Sequence, residues 1–155
     1  MLSRRAHLAS LVIAIVLGAG SSALAGAWGD GSFDNDDALD WAAACASSKS
    51  TSPVRDALEG ALRGKYLEAP EGSAAVAAAE VVAAARGKAN PKLPPELAAW
   101  IKRQPAQELS RLAPLAEKAL TRVRDPKTSE LRQLWDEGKP ADWLRAIADL
   151  ESRLR

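Results

Sequence analysis

The chain has 155 residues, 47% of them hydrophobic and 26% charged, with 21 basic and 20 acidic residues and a formal charge of +1. That length suits one domain with a real core, and the near-neutral balance argues against a nucleic acid or anionic membrane partner held by general electrostatics. The single cysteine excludes an internal disulfide, and the single histidine, His7, narrows the available chemistry.

Met1 to Ala25 reads as an export signal. Arg4 and Arg5 form a positive start, Leu11 to Leu17 an apolar centre, and Ala23-Leu24-Ala25 an A-x-A cleavage site. The apolar centre is short for a bilayer span, so cleavage after Ala25 is expected, with an uncleaved anchor as the alternative. Ser3-Arg4-Arg5-Ala6-His7-Leu8 also resembles a twin-arginine motif, although His7 stands where an aromatic is usual. Sec and twin-arginine export both remain open. Cleavage would leave residues 26–155 as one domain, periplasmic or secreted, with a formal charge of −1 once Arg4 and Arg5 are gone. It would also expose the amine of Gly26, which could meet Asp34, Asp36 or Glu80 or simply fray.

Gly26 to Trp41, GAWGDGSFDNDDALDW, gathers turn residues, two tryptophans and acids. Gly26, Gly29 and Gly31 suit a tight, left-handed or closely approached backbone ahead of Phe33. A helix follows, with Asp34 or Asn35 as its N-cap and Asp36 and Asp37 against the positive end of its dipole. Ala38, Trp41, Ala42 and Cys45 then share one face, with Asp40 beside them. Trp28 and Trp41 are expected to bracket the loop. Cys45 is expected to be a buried, inert thiol.

Ser47 to Ser52 is a polar loop. Ser52 is expected to cap a second helix with Pro53 in its first turn, Val54, Ala57, Leu58, Ala61 and Leu62 inward, and Gly64 closing it. Lys65 to Glu71 reads as irregular and carries the only tyrosine, Tyr66. Between Ser73 and Arg86 every residue but Glu80 is alanine or valine, the composition of a central helix. A buried carboxylate there must meet a partner or be protonated, so Glu80 is either a structural ion pair or a functional acid.

Arg86 to Pro95 is a turn-rich linker. Pro95 starts a helix with Leu97, Trp100 and Ile101 inward, and Gln104-Pro105 breaks it. One further helix is expected to carry Leu112, Leu115, Ala116, Ala119, Leu120 and Val123 inward, with Pro114 near its start, where the lost N-H is harmless, and Arg122 and Arg124 at its end. Ser129 opens a short piece with Leu131, Leu134 and Trp135 on one face. Pro140 to Leu154 is a helix with Trp143, Leu144, Ile147 and Leu150 inward and a basic end at Arg153 and Arg155. Without β-alternation of useful length, the fold class is all-α: a single small bundle of six or seven short helices.

The opening segment resembles the start of the bacterial family catalogued as domain of unknown function 4259. Its members typically begin Met-Gly-[Ala/Thr]-Trp-Gly-x-Gly and run on to Phe-x-Asn-Asp and Asp-Trp. Tyr66-Leu67-Glu68-Ala69-Pro70, the Leu93-Pro94 turn, Ser129-Glu130-Leu131 and Leu134-Trp135 are also similar to that family. The resemblance implies a shared fold and brings no activity or catalytic residues. One departure stands out: an export signal precedes the glycine-tryptophan opening.

Much chemistry is excluded. Once His7 leaves with the signal, no Ser-His-Asp triad, histidine base or histidine-bound transition metal can be built. No Ser-x-x-Lys pair, phosphate-binding loop or dinucleotide fingerprint occurs. Asp30, Asp34, Asp36 and Asp37 lack EF-hand spacing and read as turn and cap residues, so no metal or cofactor is implied. Three readings follow. The first is a non-catalytic binding domain of the cell envelope, contacting an unidentified protein or small molecule through the opening loop and its acids. The second is a carboxylate-dependent hydrolase pairing Glu80 with Asp40 or Glu68. In the third, the opening loop simply plugs the bundle.

Overall fold

The computed structural model describes Ala27 and residues 29–155. The export signal, Gly26 and Trp28 therefore lie outside the described residues, as does the expected bracket of Trp28 and Trp41. Eight helices are present among the described residues: α1 (Asp36–Ala46), α2 (Ser52–Gly60), α3 (Ala69–Ala85), α4 (Pro95–Arg103), α5 (Ala106–Ser110), α6 (Ala113–Val123), α7 (Glu130–Asp136) and α8 (Pro140–Leu154). Extended pairing there is limited to two isolated bridges, Ala27 opposite Asn35 and Leu67 beside Ser129. The all-α expectation holds, with eight helices in place of six or seven.

Helix α3 is the axis. Eleven of its residues between Gly72 and Ala83 are buried, and it packs against each of the other seven helices. Alanine makes this possible, because short side chains let neighbouring backbones approach closely. At Gly72 even a Cβ would stand 3.2 Å from the Leu131 side chain on α7. The bulk comes from the surrounding helices, whose Leu58, Leu97, Trp100, Leu109, Leu120, Ile147 and Leu150 are buried around α3. Each such side chain contributes roughly 1.5–3 kcal/mol on leaving water. Trp135 and Trp143 stack at 5.9 Å between centroids and join α7 to α8.

Four boundaries differ from the sequence reading, each for a local reason. α3 starts at Ala69, four residues before Ser73, because the Glu130 carboxylate caps it from α7, accepting from the Ala69 amide at 2.8 Å. The helix expected with Pro114 near its start is α6, and a short helix that the sequence reading did not include, α5, precedes it. Pro114 has no N-H to offer the Ser110 carbonyl, so the α-helical ladder stops there. Ser52 is the first residue of α2 and Thr51 precedes it without a side-chain cap; the Thr51 hydroxyl donates to Glu108 on α5 instead. Leu62 is exposed and off the expected stripe. Past Gly60 the chain tightens into i to i−3 bonds, Leu62 N to Glu59 O and Arg63 N to Gly60 O, and that turn swings Leu62 outward.

Candidate functional site

The opening loop owes its shape to one carboxylate. Asp34 Oδ2 accepts the Gly31 amide at 3.1 Å, and the Asp34 amide donates back to Gly31 O at 3.0 Å. Lys92 Nζ adds an ion pair to the same oxygen at 3.3 Å. A Cβ on Gly29 or Gly31 would fall 2.5 or 2.6 Å from that oxygen. These two glycines are needed for room, and the left-handed backbone considered for them is not used: positive φ occurs among the described glycines at Gly64 and Gly87. Asn35 then caps α1, its Oδ1 accepting from the Ala38 amide at 2.8 Å. Phe33 is buried beside it.

Glu80 is the second centre. It is 0% exposed, in the middle of α3. Its carboxylate accepts from Ser32 Oγ at 2.6 Å, Asn90 Nδ2 at 2.9 Å, Arg153 Nη1 at 2.7 Å and Arg153 Nη2 at 2.9 Å. Four donors match the acceptor capacity of a carboxylate, about four lone-pair sites. The forked, two-bond pairing with arginine is the strong geometry for such a pair. In return the carboxylate holds the Arg153 guanidinium above its already high ordinary pKa. Arg153 also reaches the Lys88 carbonyl at 3.2 Å and Asp149 at 2.8 Å.

The local sequence explains how these partners arrive. α3 ends with Gly87 at φ 81°, where the Gly87 amide bonds Ala84 O and the Lys88 amide bonds Ala83 O. This glycine-capped turn folds the chain back along the helix, so Asn90 returns to Glu80 only ten residues on. One carboxylate thus ties the opening loop, the α3–α4 linker and the C-terminal helix to the central helix. Arg153, expected at the basic end of the last helix, turns inward to Glu80.

The remaining candidates are dispersed. Asp36 and Asp37 are exposed in the first turn of α1, and Asp40 and Glu68 are exposed as well. Neither Asp40 nor Glu68 is a hydrogen-bond partner of Glu80. Trp41 is half-buried and lines a groove of about 680 Å³ with Tyr66, Asp56, Arg63, Glu68 and Glu71. Cys45 is buried in the core, and burial pushes its thiol up to about 12, which keeps it protonated and inert. Among the described residues no group of three or more His, Cys, Asp and Glu converges on a metal position.

Ser32, Asn90 and Arg153 escaped the sequence reading. The signal for the first two was faint, a small polar residue in a turn, and Arg153 had an ordinary surface role open to it through Asp149.

The stretches that carried the family resemblance clasp one another. Leu67 donates to Thr128 O at 2.8 Å and accepts from the Glu130 amide at 2.9 Å, so the Tyr66-to-Pro70 stretch lies against the Ser129-Glu130 stretch. The Gly-Trp opening meets the linker before Leu93-Pro94 through Asp34 and Lys92. Helices that would cross a membrane, being long and apolar enough, are absent among the described residues. Comparison with curated proteins and with solved structures finds no match. The family described as domain of unknown function (DUF4259) matches residues 26–146, from the opening loop into α8, and the chain belongs to that family.

Proposed function

We propose that the protein is an exported binding domain of the cell envelope with no catalytic role, presenting the glycine-tryptophan segment and the acids near it to a protein or small-molecule partner. The observation that carries this reading is the division of labour among its carboxylates. Asp34 and Glu80 are engaged in holding the fold, whereas the acids beside Trp41 line an open groove. A groove of that volume is in the range used for ligands and side chains. Export is supported by the arrangement of Arg4, Arg5, the apolar run and Ala23-Leu24-Ala25.

The test is photo-crosslinking in the native host. A photoreactive residue in place of exposed Glu68 should give a discrete adduct in the envelope fraction, and the same residue in place of exposed Lys118 on α6 should give none. Intact mass should report a chain beginning at Gly26. Equal adducts at both positions, or a chain retained in the cytoplasm, would end the proposal.

A further inference from the structure

We propose that the groove beside Trp41 docks a lysine- or arginine-rich segment of a protein partner; this deepens the binding reading above and rests on it. The groove lies where α1, α2 and the start of α3 meet, and Trp41 and Tyr66 line it. Tyr66 is 48% exposed although its hydroxyl donates to Gln133 Oε1 at 2.8 Å. The ring is therefore pinned at the surface by a hydrogen bond.

Three carboxylates line the same groove, Asp56 on α2, Glu68 just before α3 and Glu71 in its first turn. All three are exposed, and the ion pairs formed among the described residues engage none of them. Arg63 is the one base on the lining, its Nη2 3.5 Å from the Asp56 carbonyl oxygen. Three negative groups against one positive make the groove complementary to cations.

The pairing of aromatic faces with carboxylates selects the kind of cation. Lysine and arginine lay an apolar stem on an aromatic surface and carry their charge beyond it, where a carboxylate can meet it. A bare metal ion would need converging oxygens, which the described residues do not form. The acids are distributed over α2, the residue before α3 and the first turn of α3, so a segment with several positive side chains satisfies more of them than a single amine does.

The experiment is a titration of the purified protein, followed by heteronuclear NMR, with three blocked hexapeptides: hexalysine, hexaglutamate and a glycine-serine sequence. Hexalysine should shift the Trp41 indole and the amides of Asp56, Tyr66 and Glu68. Its affinity should drop roughly tenfold in the triple variant Asp56→Asn, Glu68→Gln, Glu71→Gln, as expected for three exposed ion pairs, and should fall with added salt. Circular dichroism checks that the variant is folded. Equal hexalysine affinity for both proteins, or shifts outside the groove, overturns the proposal. Equal occupation by the glycine-serine peptide also overturns it, yet leaves the binding reading in place. Silence of all three peptides overturns it as well; joined to the loss of any Glu68 adduct in the host, it removes both.

Discussion

The opening segment touches two acidic regions, Glu80 through Ser32 and the groove through Trp41, and they handle charge in opposite ways. Around Glu80 the carboxylate is sealed from solvent, and its oxygens meet donors from three separated stretches of chain. In the Trp41 groove, Asp56, Glu68 and Glu71 stay in water and take part in none of the described ion pairs. The first arrangement fixes the fold and is costly to disturb, since a buried charge left alone loses its compensation. The second contributes little to folding and keeps its carboxylates available. Proximity to the family signature therefore says little about an acid's role; burial and partners decide it.

The sharpest way to break this contrast is at Arg153. Arg153→Met strands Glu80 and should cost about 3–5 kcal/mol in chemical denaturation, whereas adding Glu80→Leu to it should recover much of the loss. Additive losses from the two changes would mean that the pair is not a unit. Next comes Gly31→Ala. Its methyl meets Asp34 Oδ2, and a loss of about 1–3 kcal/mol is expected from overpacking, reduced when Asp34→Ser removes the obstacle. Asn35→Ala removes the α1 cap and should cost about 1 kcal/mol.

A lesser effect lies in acid. The Thr128 hydroxyl and the Lys127 amide hold Asp125 below the usual aspartate range. A depressed folded pKa stabilises above the unfolded value and is lost as pH falls through the folded one. The stability of Asp125→Asn should accordingly be less sensitive to acid below about pH 4 than that of the wild type. Smallest of all, the triple neutralisation of the groove should leave stability within about 0.5 kcal/mol per site, as for other surface changes. A large loss there would erase the distinction between the two regions.

How far the sequence could be read depended on range. Local pattern placed the helices, because apolar residues recur at helical spacing and proline, asparagine and glycine mark the ends; a cap at Asp34 or Asn35 and the inward faces of α4 and α8 follow directly, and the structure selects Asn35. Glu80 was conspicuous as the one charge in an alanine and valine run. Its partner was not legible. Arg153 stands 73 residues away, on a helix end where a basic residue already has a reason to be. The start of α6 near Pro114 was legible, because the lost N-H is harmless in a first turn; α5 was not, because five residues are too few to show a helical period. The groove could not be read at all, because it is made by three helices meeting.

The account depends most on the fastening of the opening loop to α3 through Ser32 and Glu80, and native-state hydrogen exchange of Ser32→Ala tests it directly. Losing a hydrogen bond to a charged group, worth about 1.5–3 kcal/mol, should speed exchange of the Gly31 and Asp34 amides by roughly 10- to 100-fold while the amides of α6 keep their protection. Unchanged loop amides, or loop and α6 amides quickening together, would contradict it.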